Sequence, residues 1–294
     1  MYSAIAANKR RTWLIMFLFL LIIAALGWVA GLFLKGGGLF YTYIAVGIAI
    51  IYALIQYFAA AKIALAVNGA RRIEKKDNPR LYRTVENLAI ASGMPMPEVY
   101  IMDDPALNAF ATGRDPKHAA VCATTGLLEA MDDTELEAVF AHEMGHVQNY
   151  DIRVMMIVFG LVSAIGLLAD LITNMLWFGG GDNDEESGPN IITIVIGVAV
   201  LILAPLAAAM VQLAVSRRRE YLADSTGALT TRYPEGLARA LEKIAASGAV
   251  TQRQNSSTAH LFFANPLKSG SFKNLFSTHP PIEDRIARLR NMGL

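Results

Sequence analysis

Apolar residues gather in four long runs, 13–34, 39–61, 154–178 and 191–215, each long enough for a helix to cross the roughly 30 Å hydrocarbon core of a bilayer. Lys9, Arg10 and Arg11 precede the first run, as they would in a secretory signal. That run is too long for such a segment and lacks a small-x-small cleavage site, so a retained anchor is expected. A short turn at 35–38 joins the first two runs, and the four runs pair into two membrane hairpins. Asp170, in the third run near Thr173 and Asn174, reads as interfacial and not as a functional carboxylate within the membrane.

Between and after the hairpins the periodicity changes. Asn78-Pro79 reads as an N-cap and first helical residue, opening an amphipathic helix to about Ser92. Segments 98–102 and 119–124 are short and extended in character. The loop signals Asp103-Asp104-Pro105 and Gly113-Arg114-Asp115-Pro116 separate them, which predicts a small sheet. A long helix follows, with Thr134 and Glu137 spaced as a capping box and Leu136, Val139, Phe140, Met144 and Val147 recurring as a buried face. The helical pattern resumes over 217–229, and Pro234 opens another helix to about Ala246. Segment 248–276, rich in Ser, Asn, Gln and Gly, is expected to be a mobile loop, and 281–291 a closing amphipathic helix. The expected fold class is α+β, a mainly helical domain with a small sheet plus four transmembrane helices in two hairpins.

Composition agrees with a membrane setting: of 294 residues 54% are hydrophobic and 17% charged, with a mean hydropathy of +0.39. A net charge of +1, with basic residues beside the apolar runs, argues against nucleic acid as a partner. Those flanking charges are lopsided. Lys9 to Arg11, Lys62, Arg71, Arg72, Lys75, Lys76, Arg153 and Arg217 to Arg219 lie on one side. Lys35 lies on the other, with the acids Asp182, Asp184, Glu185 and Glu186. Basic flanks stay cytoplasmic, so both termini and the soluble segments are expected there, in a multi-pass membrane protein. The single cysteine, Cys122, cannot form an internal disulfide and reads as a small buried residue.

The chemistry begins with His142-Glu143-Met144-Gly145-His146. On a helix, residues four apart share a face, so the two imidazoles can hold one metal ion while Glu143 holds a water beside it. A catalytic zinc keeps an open position, lowers the pKa of a bound water toward about 7 and polarises a carbonyl. A third ligand must come from elsewhere, and Glu220 is the candidate. In Arg219-Glu220-Tyr221-Leu222-Ala223-Asp224, Glu220 and Asp224 share a helix face, so one can bind the metal while the other accepts a hydrogen bond from a ligating imidazole. A metal transporter would carry ligands inside its spans, and none of the four runs contains His or Cys. A di-iron carboxylate protein would need a second Glu-x-x-His pair.

The chain resembles the HtpX-type membrane metallopeptidases, relatives of the CAAX prenyl endopeptidases within the gluzincins. The likeness rests on the 142–146 motif, on Glu220-Tyr221-Leu222-Ala223-Asp224, on Asn108-Ala109-Phe110-Ala111, on Ser277-Thr278-His279-Pro280-Pro281 and on the paired spans around the catalytic helix. The resemblance implies one zinc ion per chain, held by His142, His146 and Glu220, with Glu143 as the base and Asp224 bonded to a histidine. It implies that Asn108 binds the substrate backbone, that His279 donates to the oxyanion and that 119–124 is an edge strand on which substrate is laid. His118 and His260 match no motif and are expected to be structural. The implied organisation is an N-terminal hairpin at 1–66, a first catalytic part at 67–153, a second hairpin at 154–215 and a second catalytic part at 216–294. The implied activity is hydrolysis of unfolded or membrane proteins at the cytoplasmic face, in quality control under stress.

Overall fold

A computed structural model describes residues 2–33, 38–178, 217–247, 251–252, 261–263 and 280–292. Two long apolar helices, α1 (Tyr2–Phe33) and α2 (Gly38–Val67), pack together at the start of the chain. Strand β1 (Ala70–Arg72), helix α3 (Pro79–Ser92) and strands β2 (Glu98–Met102), β3 (Ala109–Gly113) and β4 (Ala119–Thr124) follow. Helix α4 (Thr125–Ala130) leads into α5 (Asp133–Gln148), which carries the histidine motif, and α6 (Asp151–Phe178) comes next. The remaining described helices are α7 (Arg217–Thr231), α8 (Pro234–Ser247) and α9 (Ile282–Arg290). The fourth apolar run and the body of the loop expected at 248–276 lie outside the described residues, as does the side chain of Asp170.

Helix α3 begins where its capping signal placed it. The Asn78 side chain accepts from Leu81 N–H, Pro79 occupies the first turn, and Gly93 ends the helix in a left-handed conformation. The sheet has four strands where two were expected, in the order β1-β2-β4-β3. β3 is rich in Ala and Gly and β1 is three residues long, so neither carries the β-branched signal that marks a strand.

The sheet order corrects one expectation. β4, residues 119–124, lies inside the sheet, parallel to β2 on one side and antiparallel to β3 on the other; β3 is the edge strand on that side. A strand flanked on both sides has its hydrogen-bonding groups already taken, so it cannot receive a substrate strand.

Both faces of the sheet are covered, and side chains alternate between them. Ala119, Val121 and Ala123 of β4 join Val99, Ile101, Ala109 and Ala111 in a core with α3, α5 and α8. Ala120 and Cys122 join Met102 and Phe110 in a second core against Ala64 and Leu65 of α2 and Met155, Met156 and Phe159 of α6. This explains why β4 reads as a continuous apolar run. Cys122 is buried, as expected, and burial raises its thiol well above the usual range. The helix that carries the histidine motif thus sits on one side of the sheet and the long apolar helices on the other.

Trp13, Phe17, Phe40, Tyr43, Ile48 and Phe58 on α1 and α2 are exposed, which is apolar surface that water does not favour. Among the described residues one segment, Thr42–Val67, is long and apolar enough to cross a membrane by length and composition.

Candidate metal centre

Helix α5 starts one capping pair earlier than the sequence suggested. Asp132 Oδ1 accepts from Thr134 N–H and Glu135 N–H, both at 2.9 Å, and Glu135 Oε2 accepts from Asp132 N–H at 2.8 Å. Asp132 and Glu135 have the same spacing as Thr134 and Glu137, and a carboxylate is the stronger acceptor at a positive helix end. The Thr134 hydroxyl instead donates to Asp132 Oδ1 at 2.7 Å.

From that start α5 runs through the core, and His142, Glu143 and His146 are all buried. Helix α7 crosses it closely enough to bring in Glu220, because Gly227 faces the motif. A Cβ there would lie 2.9 Å from His142 N and 3.2 Å from Ala141 C. Only glycine allows this approach.

The three expected ligands meet. His142 Nε2 lies 3.1 Å from His146 Nε2 and 3.8 Å from Glu220 Oε2, and His146 Nε2 lies 3.5 Å from Glu220 Oε1. A tetrahedral ion with ligands at about 2.0–2.1 Å has edges of about 3.3 Å. The residues present therefore match one face of such a site in spacing and in donor type, and the group suggests a metal site.

Both imidazoles are held from behind by carboxylates. Asp224 Oδ1 lies 2.8 Å from His142 Nδ1, and Asp151 Oδ2 lies 3.0 Å from His146 Nδ1. A carboxylate can only accept, so each Nδ1 carries a proton, which leaves Nε2, on the side of Glu220, as the nitrogen able to bind a metal. Arg285 of α9 locks Asp224 in turn, its Nε donating at 2.9 Å and its Nη2 at 2.7 Å, with 1% of the residue exposed. This fork outweighs burial and, with His142, holds the Asp224 carboxyl well below the usual range.

Considering the protein's own groups alone, burial holds His142 down to about 4 despite Asp224. At His146 burial is outweighed by Glu220, Asp151 and Glu143, which lift it to about 9. Three carboxylates around one imidazole make a place where positive charge is favoured, and a cation there would displace that proton. Burial, with Glu220 adding to it, raises Glu143 to about 7 against the opposing pull of His146 and a hydrogen bond from the Ala111 backbone. That value suits a general base near neutral pH.

The Ala111 contact also ties the site to the sheet edge. Thr124 N–H donates to Asn108 O at 3.0 Å, so in this antiparallel register Ala109 and Ala111 turn their backbone groups away from β4. Phe263 N–H donates to Ala109 O at 2.8 Å on that outer side. Asn108 is buried at the start of β3, with its side-chain oxygen accepting from Ala109 N–H at 3.1 Å. His279 and His260 lie outside the described residues. His118 is exposed and bonded at 2.7 Å to Asp115, the residue that caps its turn.

Sequence reasoning missed Asp151, Arg285 and Arg219 as neighbours of the cluster. Arg285 had a signal, since it shares the apolar stripe of α9 with Ile282 and Leu289, and a charge in such a stripe needs a buried partner. Asp151 had none beyond lying five residues past His146. It reaches back because Tyr150, at φ 62°, turns the chain sharply between α5 and α6.

Comparison with known proteins extends these observations. The model of peptidase family M48 matches residues 75–293. A protease HtpX homolog of Tropheryma whipplei (strain Twist) is 58% identical over 294 residues, covering 100% of this chain and 99% of that protein. One from Streptococcus gordonii is 43% identical, covering 99% and 100%. The crystal structure of S. mikatae Ste24p shares the fold with a TM-score of 0.52 at 23% identity, over 94% of this chain and 62% of that one. The family match runs through both helices that carry the cluster, and the relatives align from end to end. The chain therefore belongs to peptidase family M48 and is a membrane metalloprotease of the HtpX type.

Proposed function

We propose that this protein is a zinc-dependent endopeptidase that cleaves unfolded or membrane proteins at the cytoplasmic face of the membrane, in quality control under stress. The observation that supports this best is the buried triangle of His142, His146 and Glu220 with Glu143 beside it. In this reading those three residues hold one zinc ion, which supplies Lewis-acid polarisation of the scissile carbonyl and lowers the pKa of a water. Glu143 takes a proton from the attacking water and delivers it to the leaving amine. Asp224, fixed by Arg285, keeps His142 in the tautomer that presents Nε2. Asn108 contacts the substrate backbone near the β3 edge, and His279 donates to the developing oxyanion.

The same proposal makes residues 13–34, 154–178 and 191–215 membrane spans along with 39–61. These divide the chain into hairpins at 1–66 and 154–215 and catalytic parts at 67–153 and 216–294, with both termini cytoplasmic. The apolar surface of α1 and α2 and the basic flanks support it.

The test is zinc content together with cleavage of casein or an unfolded membrane protein, with and without chelator. Glu143→Gln should keep one zinc and the fold yet lose hydrolysis by orders of magnitude. A variant that cleaved at the wild-type rate with zinc bound would remove Glu143 from the role of base.

A further inference from the structure

The carboxylate behind His146 has its own support, and that support comes from the other end of the chain. Asn8, buried on α1, donates through Nδ2 to Asp151 Oδ1 at 2.7 Å and to Asn149 O at 2.9 Å. One amide therefore grips both the carboxylate and the turn that aims it. On the next residue, Lys9 Nζ lies 4.8 Å from the centre of the Tyr150 ring, while Arg153 packs 4.9 Å from the same ring. Tyr150 has a positive φ, which a bulky side chain adopts only when its surroundings hold it there. The remaining charged neighbour is Arg219, next to Glu220 in sequence, with Nη1 3.5 Å from Asp151 Oδ1. Asp151 thus has one oxygen for His146 and one shared by Asn8 and Arg219, and it is fully buried.

We propose that Asn8, on the apolar N-terminal helix, is a positioning residue of the metal centre, acting by holding Asp151 so that Asp151 orients His146. The proposal rests on the reading of His142, His146 and Glu220 as zinc ligands. It makes α1 a structural part of the site as well as an anchor. A buried carboxylate that loses one of its donors is freer to rotate, and it then holds the imidazole less well. The opposite imidazole has an equivalent lock in Arg285 and Asp224, so loss of Asn8 should loosen one ligand and not the whole cluster.

The experiment uses the full chain in detergent and reads zinc affinity by competition with a chromophoric chelator, with the visible spectrum of the cobalt-substituted protein as a second readout. Asp151→Asn should weaken zinc by about 10- to 100-fold, the usual effect of removing a partner behind a ligand. Asn8→Leu, similar in size but without the donor, should weaken it less, by about threefold or more, and shift the cobalt spectrum in the same direction. In the double variant Asn8→Leu should add almost nothing to Asp151→Asn, since both act through one carboxylate. Thr12→Val, which removes a hydroxyl one turn along α1 that bonds to Asn8 O, should change neither readout. If Asn8→Leu does not fold, Asn8→Ala takes its place.

Wild-type zinc affinity in the Asn8 variant, or an Asn8 effect that adds fully to that of Asp151→Asn, would overturn the proposal. A wild-type protein that bound no zinc, or bound it equally well as His142→Ala, would overturn the metal reading itself and this proposal with it.

Discussion

Replacing Gly227 with alanine sets two effects of opposite sign against each other. In an ordinary helix interior, glycine to alanine stabilises by about 1 kcal/mol. Here the added Cβ meets His142 N at 2.9 Å and Ala141 C and His142 Cα at 3.2 Å. These are main-chain atoms of a buried helix and cannot rotate away. Favourable contact begins near about 3.5 Å, so α7 must retreat from α5 by about 0.6 Å. Overpacking of this kind costs about 1–3 kcal/mol, which leaves a net loss of about 0–2 kcal/mol once the propensity gain is subtracted.

The metal centre should suffer more than the fold. Glu220 lies two turns before Gly227 on the same face of α7, and a site of this kind needs its groups within about 0.5 Å of the working geometry. Zinc affinity should therefore fall by at least about tenfold, or ~1.4 kcal/mol. Gly145→Ala is the comparator, since its Cβ would reach only 3.4 Å from Ala223 Cα, and it should cost less in both measures. The assay is chelator competition for affinity and thermal melting in detergent for stability. A Gly227→Ala protein that melted above the wild type and bound zinc as tightly would refute the claim that this glycine sets the approach of the two helices.

Glu220→Ala should remove bound zinc, whereas Asp224→Ala should weaken it by about 10- to 100-fold and leave a site that refills at high zinc; equal zinc content in Glu220→Ala and wild type would require another third ligand. Asp132 offers a pH test away from the metal. Its bonds from the Thr134 side chain and the Glu135 backbone lower its pKa. The stability it contributes is therefore complete above the unfolded value of about 3.9 and is lost as pH falls toward the lower folded value. Asp132→Ala should cost about 1 kcal/mol at neutral pH, with the gap in melting temperature closing below about pH 4. For orientation, cysteines placed at Gly181 and Ser256 in a Cys122→Ser background should respond differently to a membrane-impermeant thiol reagent. The first should label in intact cells and the second only after the membrane is opened; labelling at Ser256 in intact cells would reverse the proposed topology.

Much of the site was legible along the chain because its parts are local. His142, Glu143 and His146 announce themselves by helical spacing, and Glu220 with Asp224 by the same rule on a second helix. Asn78-Pro79 set the start of α3, and β4 shows as a short run of small apolar residues. Two local signals misled. The capping box of α5 was read at Thr134 and Glu137, whereas the structure uses Asp132 and Glu135 two residues earlier, where a carboxylate is the stronger acceptor. The run at 119–124 was apolar enough to be a strand, but nothing in it distinguishes an edge from an interior position.

What the sequence alone determined, then, is the helices that carry the cluster, two of the four strands and the ligand types, because helix period, caps and apolar run lengths depend on residues a few positions apart. The tertiary structure decided which groups face each other. The distance between Asn8 and Asp151 along the chain is 143 residues, and between Arg285 and His142 it is also 143. No periodicity connects such pairs, since each depends on the fit of whole helix surfaces, as at Gly227, where the absence of one Cβ lets α7 reach α5. The strand order is of the same kind: β4 lies between β2 and β3, with α5 and the long helices covering opposite faces of the sheet, and that arrangement becomes visible only once strands distant in sequence are paired.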